Sequence, residues 1–188
     1  FNFYSKMLLI CGFYITLLIV LYAEPIIRIV FGSKYDAPIP VLQISALGVP
    51  FVFSVAPTII TSLDKQRVLA RIQFAGLLVN IASSFILIKL WVSEGAAGAS
   101  VLTYAFTNTA SVVYLSMAGA VSARYYWVGF AELTAVAAAC FFVMHRFFAG
   151  LPLVPSAALA SILFFVPVAA LMLRKDDIRI AKEMVLGK

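Results

Sequence analysis

The sequence predicts an all-α, polytopic membrane protein that forms a bundle of about six transmembrane helices. Of its 188 residues, 64% are hydrophobic and only 12% are charged. The mean hydropathy is +1.06, which is higher than expected for a water-soluble domain. Apolar residues also continue without interruption over segments long enough to cross a bilayer, and they do not alternate with polar residues. Lipid is therefore the expected solvent.

Six apolar runs, separated by short charged connections, are the candidate spans. They cover residues 7–22, 41–63, 69–92, 97–121, 128–148 and 153–173. In hydrocarbon, backbone polar groups must be satisfied within their own segment, so we expect helices and not the strands of a membrane barrel. Aromatic rings with one polar edge suit the headgroup layer and support these boundaries. The rings beside the connections are Tyr22, Trp91, Tyr125, Tyr126 and Trp127.

Lysine and arginine are divided unequally between the two sides of these spans. One side receives Lys6, Lys65, Arg67, Arg71, Arg124, Arg174, Lys175, Arg179, Lys182 and Lys188. The other receives Arg28, Lys34, Lys89 and Arg146. Because cytoplasmic connections retain positive charge, both termini are expected in the cytoplasm. The net charge is +6, but the basic residues do not gather on one face with stacking aromatics. We therefore expect membrane lipid as a partner and no nucleic acid.

Residues 1–173 are predicted to form the bundle, and residues 174–188 a basic cytoplasmic tail. In a helical tail, Ile178, Ala181 and Val185 would share one face, which suits a helix lying along the membrane interface. A solvated tail that only fixes the topology explains the same charges. The sequence leaves both interpretations open.

Few polar residues lie within the spans, where a charge costs at least about 2.5 kcal/mol to insert. Asn80 falls near the middle of the third span, close to Ser83 and Ser84. These groups either hydrogen-bond between helices or line a cavity. Glu132 lies about 7 to 8 Å inside the boundary at the start of the fifth span. It either carries a proton in coupled transport, or reaches water or pairs with Arg124.

Pro50 and Pro57 are expected to kink the second span, because each removes a backbone donor. Such kinks line cavities in transporters but are also common in membrane helices generally. The sequence contains no signature of a nucleophilic, nucleotide-binding or metal-dependent enzyme, and its two cysteines lie in apolar spans without metal or redox spacing. We therefore expect no enzyme activity, cofactor or metal.

Several segments, in this order, resemble those of bacterial polysaccharide exporters and flippases. The stretch RIVFGSKYDAPIPVLQI at residues 28–44 is similar to a connection between two helices of that family. TSLDKQR at 61–67 resembles its short cytoplasmic loop, and Asn80 its asparagine-bearing helix. EGAAGAS at 94–100 resembles a small-residue turn, although Ser100 stands where a threonine is usual.

The resemblance implies a member of the multidrug, oligosaccharidyl-lipid and polysaccharide exporter superfamily, in which two helical bundles flank a central cavity. This chain would be the second bundle, and the first would belong to a missing N-terminal part of the same protein. The implied function is movement of an undecaprenyl-diphosphate-linked sugar across the cytoplasmic membrane. This step serves the biosynthesis of a cell-surface polysaccharide such as O-antigen.

A diphosphate head needs cations that stay partly hydrated, and this requirement selects the candidate substrate-binding residues. They are Arg67, Arg71 and Lys89, together with Asn80. Each cation also has an alternative interpretation as a charge that sets topology at a helix end. Two other functions stay open. A drug or small-cation exporter would call for more acids than Glu132. A membrane glycosyltransferase or ligase would call for a long outer loop containing histidine.

Overall fold

The computed structural model of the chain describes residues 2–32, 34–148 and 152–172. Helices account for 88% of these residues, and no strand occurs among them. The prediction of an all-α protein is therefore confirmed. The predicted tail, residues 174–188, lies outside the described residues.

Seven helices follow one another in the described part of the chain. They are α1 (Asn2–Phe31), α2 (Pro38–Ala46), α3 (Val49–Val52), α4 (Ala56–Ser62), α5 (Gln66–Met117), α6 (Ala123–Phe147) and α7 (Leu153–Met172). Four helical stretches of this part are long and apolar enough to cross a membrane. These are Tyr4–Phe31, Pro38–Ser62, Gln66–Met117 and Tyr126–Phe147, and a shorter apolar helix covers Pro155–Ala170. Gln66–Met117 contains the third predicted span, 69–92, and all but the last four residues of the fourth, 97–121.

Helix α1 is longer than the predicted first span, residues 7–22. Tyr22 has non-helical dihedrals (φ −110°, ψ 17°), and the helix resumes beyond it despite Pro25. Proline is tolerated there because it falls in the first turn of the resumed helix. Glu24 and Arg28, one turn apart, form an ion pair of 2.8 Å that supports this polar extension.

The predicted second span, 41–63, is divided among three short helices. Pro50 and Pro57 occupy the first turns of α3 and α4. A proline has no N–H to donate and is pre-organised for a helix start, so each proline begins a new helix instead of bending a continuous one. Residues 53–55 separate α3 from α4, and their backbone is not helical. We call these residues the break between α3 and α4.

Helix α5 is a hairpin of two arms. Trp91 and Val92 have non-helical dihedrals, and Val92 adopts a positive φ of 46°. A β-branched side chain rarely occupies that region, so the turn is strained. Beyond this turn the chain reverses its direction. The Asn80 amide, before the turn, donates at 3.0 Å to the Thr103 hydroxyl, after the turn, so the two parts of the helix lie side by side. We call residues 66–90 the first arm and residues 93–117 the second arm.

Consecutive apolar segments alternate in direction, and the last of them, α7, runs antiparallel to α1. Tyr14 and Tyr22 of α1 hydrogen-bond to Ser161 and Ser156 of α7, at 2.6 and 2.9 Å. The order of these pairs shows that α1 and α7 point in opposite directions. α1 also packs against α2, α3 and α6. The core between these elements includes Leu9, Phe13, Leu17, Ile60, Val112, Leu115, Leu133 and Phe164.

Connections consequently alternate between two ends of the bundle. The end that holds the start of α1, called the N-terminal end, contains the connections at 63–65 and 118–122. Its basic residues are Lys6, Lys65, Arg67, Arg71 and Arg124. The opposite end, called the far end, contains the turn at Val92 and carries Arg28, Lys34, Lys89 and Arg146.

Candidate substrate-binding face

The two arms of α5 touch along one side of the first arm. A Cβ added at Gly95 would collide with the main-chain carbonyl of Leu87, and one added at Gly76 would collide with the Thr107 methyl group. Glycine therefore permits the close approach of the arms. The Asn80 hydrogen bond lies on the same side, so the opposite side of the first arm faces away from the second arm.

Large apolar side chains cover that free side. Phe74, Leu78, Ile81 and Phe85 are 63%, 54%, 46% and 69% exposed. Their spacing of three and four residues places them on one helix face. We call these four residues the apolar stripe. Because its four side chains are exposed, the apolar stripe is available for contact with lipid or with another apolar partner.

Cations continue the stripe at both of its ends. Arg67 and Arg71 extend the spacing of three and four residues toward the N-terminal end. Lys89 follows Arg71 by 18 residues, which is five turns and about 27 Å along the helix. This length is close to the roughly 30 Å of bilayer hydrocarbon. One helix face therefore presents a hydrocarbon-length apolar surface with a positive charge near each end.

These cations are exposed and have no ion pair with any residue that the structure describes. Arg28 provides the contrast, because it lies 2.8 Å from Glu24 and 3.8 Å from Asp36. An unpaired guanidinium or ammonium group can accept an external anion without first breaking an internal pair. The cations of the first arm are therefore free to bind an external anion, whereas Arg28 would first have to leave its carboxylate partners.

A shallow groove of about 390 Å³ runs along the far half of the first arm. Its lining is mostly apolar and includes Asn80, Ile81, Ser84, Phe85, Ile88 and Lys89. The groove brings together two of the predicted substrate-binding residues, Asn80 and Lys89. Arg67 and Arg71 lie at the other end of the same arm. An apolar chain in the groove would have its anionic head within reach of Lys89.

Glu132, a candidate proton carrier, lies on α6, away from this groove. Its side chain is exposed and forms no ion pair within the described part of the chain. Arg124 lies eight residues earlier, about 12 Å along the helix. Pro50 and Pro57 are not on the candidate face either, since they begin α3 and α4.

A buried polar cluster formed by Ser54, Asn108 and Tyr126 was not predicted from the sequence. The Asn108 side chain donates to the Tyr126 hydroxyl at 2.9 Å. Tyr126 is buried between helices, although its position beside a connection predicted a site in the headgroup layer. Asn108 is a lone asparagine well inside the fourth predicted span. An amide side chain in an apolar span is the same signal that selected Asn80 as a candidate.

No protein-family model, no curated protein and no solved structure matches this chain. The candidate face therefore rests on the residues and geometry described above.

Proposed function

We propose that this chain is one helical bundle of a flippase that moves a lipid-linked oligosaccharide or polysaccharide precursor across the cytoplasmic membrane for cell-surface polysaccharide biosynthesis. The observation that carries the proposal is the apolar stripe of hydrocarbon length with unpaired cations near both ends. The resemblance of residues 28–44, 61–67 and 94–100 to polysaccharide exporters supports the same function. In such a transporter the first bundle would belong to an N-terminal part of the same protein.

The chemistry of such a substrate matches the candidate face. A polyprenyl chain is apolar and stays in hydrocarbon, so it can lie along the stripe and in the groove. A diphosphate head is anionic and needs a cation at each leaflet, which Arg71 and Lys89 would provide. The guanidinium of Arg71 can hold two phosphate oxygens in a fork, whereas lysine presents a single point charge. Because both cations are exposed, neither has to lose all its water to bind.

A flipping assay tests this proposal. The full-length protein is reconstituted in liposomes with a fluorescent polyprenyl-diphosphate-linked sugar, and a membrane-impermeant quencher reports how fast the label crosses. The protein should accelerate crossing. Arg71→Gln and Lys89→Gln should each slow it roughly tenfold or more, as expected for loss of a charged hydrogen bond worth about 1.5 to 3 kcal/mol. Arg71→Lys should fall between wild type and Arg71→Gln.

Arg124→Gln and Arg146→Gln are the matched controls. They remove one exposed positive charge from the N-terminal end and the far end respectively, but from α6 instead of the first arm. Both should flip the substrate at the wild-type rate. If the wild-type protein does not accelerate crossing, the flippase proposal fails. If all four glutamine variants behave alike, the first arm has no special part in transport.

The proposal also places the N-terminal end of the bundle in the cytoplasm. Lys34→Cys at the far end should react with an impermeant maleimide in intact cells. Ser62→Cys, exposed near the N-terminal end, should react only after permeabilisation. Both variants are made in a Cys11→Ser background, since Cys11 is an exposed thiol. The opposite labelling pattern would reverse the orientation.

A further inference from the structure

A crevice lies between α6 and α7 on the outside of the bundle. Its volume is about 180 Å³, and it is lined by Val136, Ala139, Cys140, Val143, Leu163 and Pro167. Ala139 and Cys140 have small side chains, which leaves space between the two helices. Ala139 is also exposed, so the crevice opens toward the surrounding lipid.

The walls of the crevice offer no spare polar group to water. Pro167 has no N–H, so the Leu163 carbonyl, one turn earlier in α7, loses its helical donor. The Cys140 thiol donates to that carbonyl at 3.1 Å and satisfies it. Apolar cavities of about 150 Å³ stay dry and take up apolar molecules. The occupant of this crevice should therefore be apolar.

A cation continues the line of the crevice toward the far end. Arg146 follows Ala139 by seven residues, which is two turns, so both residues lie on the same face of α6. Arg146 is exposed and has no ion pair within the described part of the chain. From Val136 to Arg146 the helix rises about 15 Å. This length is half of the roughly 30 Å of bilayer hydrocarbon, so crevice and cation together match the depth of one leaflet.

We propose that the crevice binds one acyl chain of a membrane phospholipid from the leaflet at the far end, with Arg146 on the lipid phosphate. The chain matches the apolar walls, and a guanidinium can hold two phosphate oxygens in a fork. The bound lipid would fill the space between α6 and α7. This site is separate from the apolar stripe, which lies on the first arm of α5, and it does not depend on the transport of any substrate.

Photolabelling of the purified full-length protein in maltoside micelles tests the site, because this detergent contains no phosphate. The probe is phosphatidylglycerol with a photoreactive group in the middle of one acyl chain, and labelled peptides are mapped by mass spectrometry. Label should attach to residues 136–143 and 163–167, and unlabelled phosphatidylglycerol should displace it in a saturable way. Diacylglycerol with the same chains lacks the phosphate. It should compete about tenfold less well, as expected for loss of a charged hydrogen bond.

Two pairs of variants assign the label to the crevice. Ala139→Phe fills the crevice and should remove most of the label from both segments. Ala138→Phe is the matched control, because it adds the same ring at an exposed position of α6 that does not line the crevice. Arg146→Gln should weaken phosphatidylglycerol about tenfold and abolish its advantage over diacylglycerol. Lys34→Gln removes another exposed cation of the far end and should leave both lipids unchanged.

Three results would overturn the proposal. Label that cannot be displaced by excess phosphatidylglycerol would show only non-specific contact with lipid. Equal labelling of Ala139→Phe and Ala138→Phe would place the lipid elsewhere. Displacement by a polyprenyl diphosphate at lower concentrations than by phosphatidylglycerol would assign the crevice to the transported substrate. If Ala139→Phe does not fold, Arg146→Gln against Lys34→Gln decides the question, since both residues are exposed. Because the readout is lipid binding and not transport, failure of the flippase proposal would leave this result unchanged.

Discussion

A methyl group added at Gly95 tests how closely the two arms of α5 pack. The new Cβ would overlap the main-chain carbonyl of Leu87. A flexible side chain could rotate away, but a helical carbonyl cannot move without breaking its own helix. Gly95→Ala should therefore push the arms apart near the turn at Val92, where the backbone is already strained.

The cost follows from overpacking a contact that has no space. Inserting extra carbon into a well-packed interior typically costs about 1 to 3 kcal/mol. The helix propensity of alanine returns about 0.5 to 1 kcal/mol, which reduces the loss without removing it. Gly98→Ala is the matched control three residues later, because its Cβ would meet only the Leu87 Cδ1 at 3.6 Å, an ordinary contact. Gly98→Ala should be neutral or slightly stabilising.

Circular dichroism at increasing temperature in detergent measures both variants. On the scale of globular domains of this size, the net loss should lower the melting temperature of Gly95→Ala by roughly 1 to 10 °C, and Gly98→Ala should leave it unchanged or raise it slightly. Equal melting of the two variants would refute the close contact at Gly95. A larger loss in Gly98→Ala would mean that the arms meet along a different face.

Two further predictions concern hydrogen bonds between helices. Asn80→Ala should lower the free energy of unfolding by about 0.6 to 2 kcal/mol, and Thr103→Val should cost a similar amount; the double variant should cost less than their sum if the 3.0 Å bond joins them. Cys140→Ala should lower stability by about 0.5 to 1.5 kcal/mol, because the Cys140 thiol donates at 3.1 Å to the Leu163 carbonyl that Pro167 leaves without a donor. Cys140→Ser, which keeps a donor, should cost less, and equal losses in the two variants would contradict this role.

Hydropathy alone predicted the helical class and the approximate position of each apolar segment. It could do so because a continuous apolar run has only one way to satisfy its backbone in lipid. The exact course of the backbone was not predictable in the same way. The sequence showed Pro50 and Pro57, but whether a proline kinks a helix or starts a new one depends on what packs around the break. The residue with positive φ in the hairpin is Val92 and not a glycine, so the turn was expected slightly later, in the small-residue segment at residues 94–100.

The candidate sites were predictable to different degrees. Arg67, Arg71 and Lys89 could be selected because charges are rare in such a chain. Their alignment on one face with Phe74 and Phe85 could be derived only after the direction of the free side was known. Periodicity does not reveal that direction, since lipid-facing and core-facing residues of a membrane helix are both apolar.

The buried cluster shows why polar residues near connections are the hardest to interpret. A tyrosine beside a predicted boundary suits the headgroup layer as well as the interior, and hydropathy does not separate the two. Tyr126 lies in the interior because the start of α6 packs near the broken segment at Ser54, which is also buried. The Asn108 amide nitrogen donates to that hydroxyl, and its oxygen has no partner among the residues that the structure describes. Two helices, α5 and α6, thus place polar side chains together in an otherwise apolar core beside the broken segment.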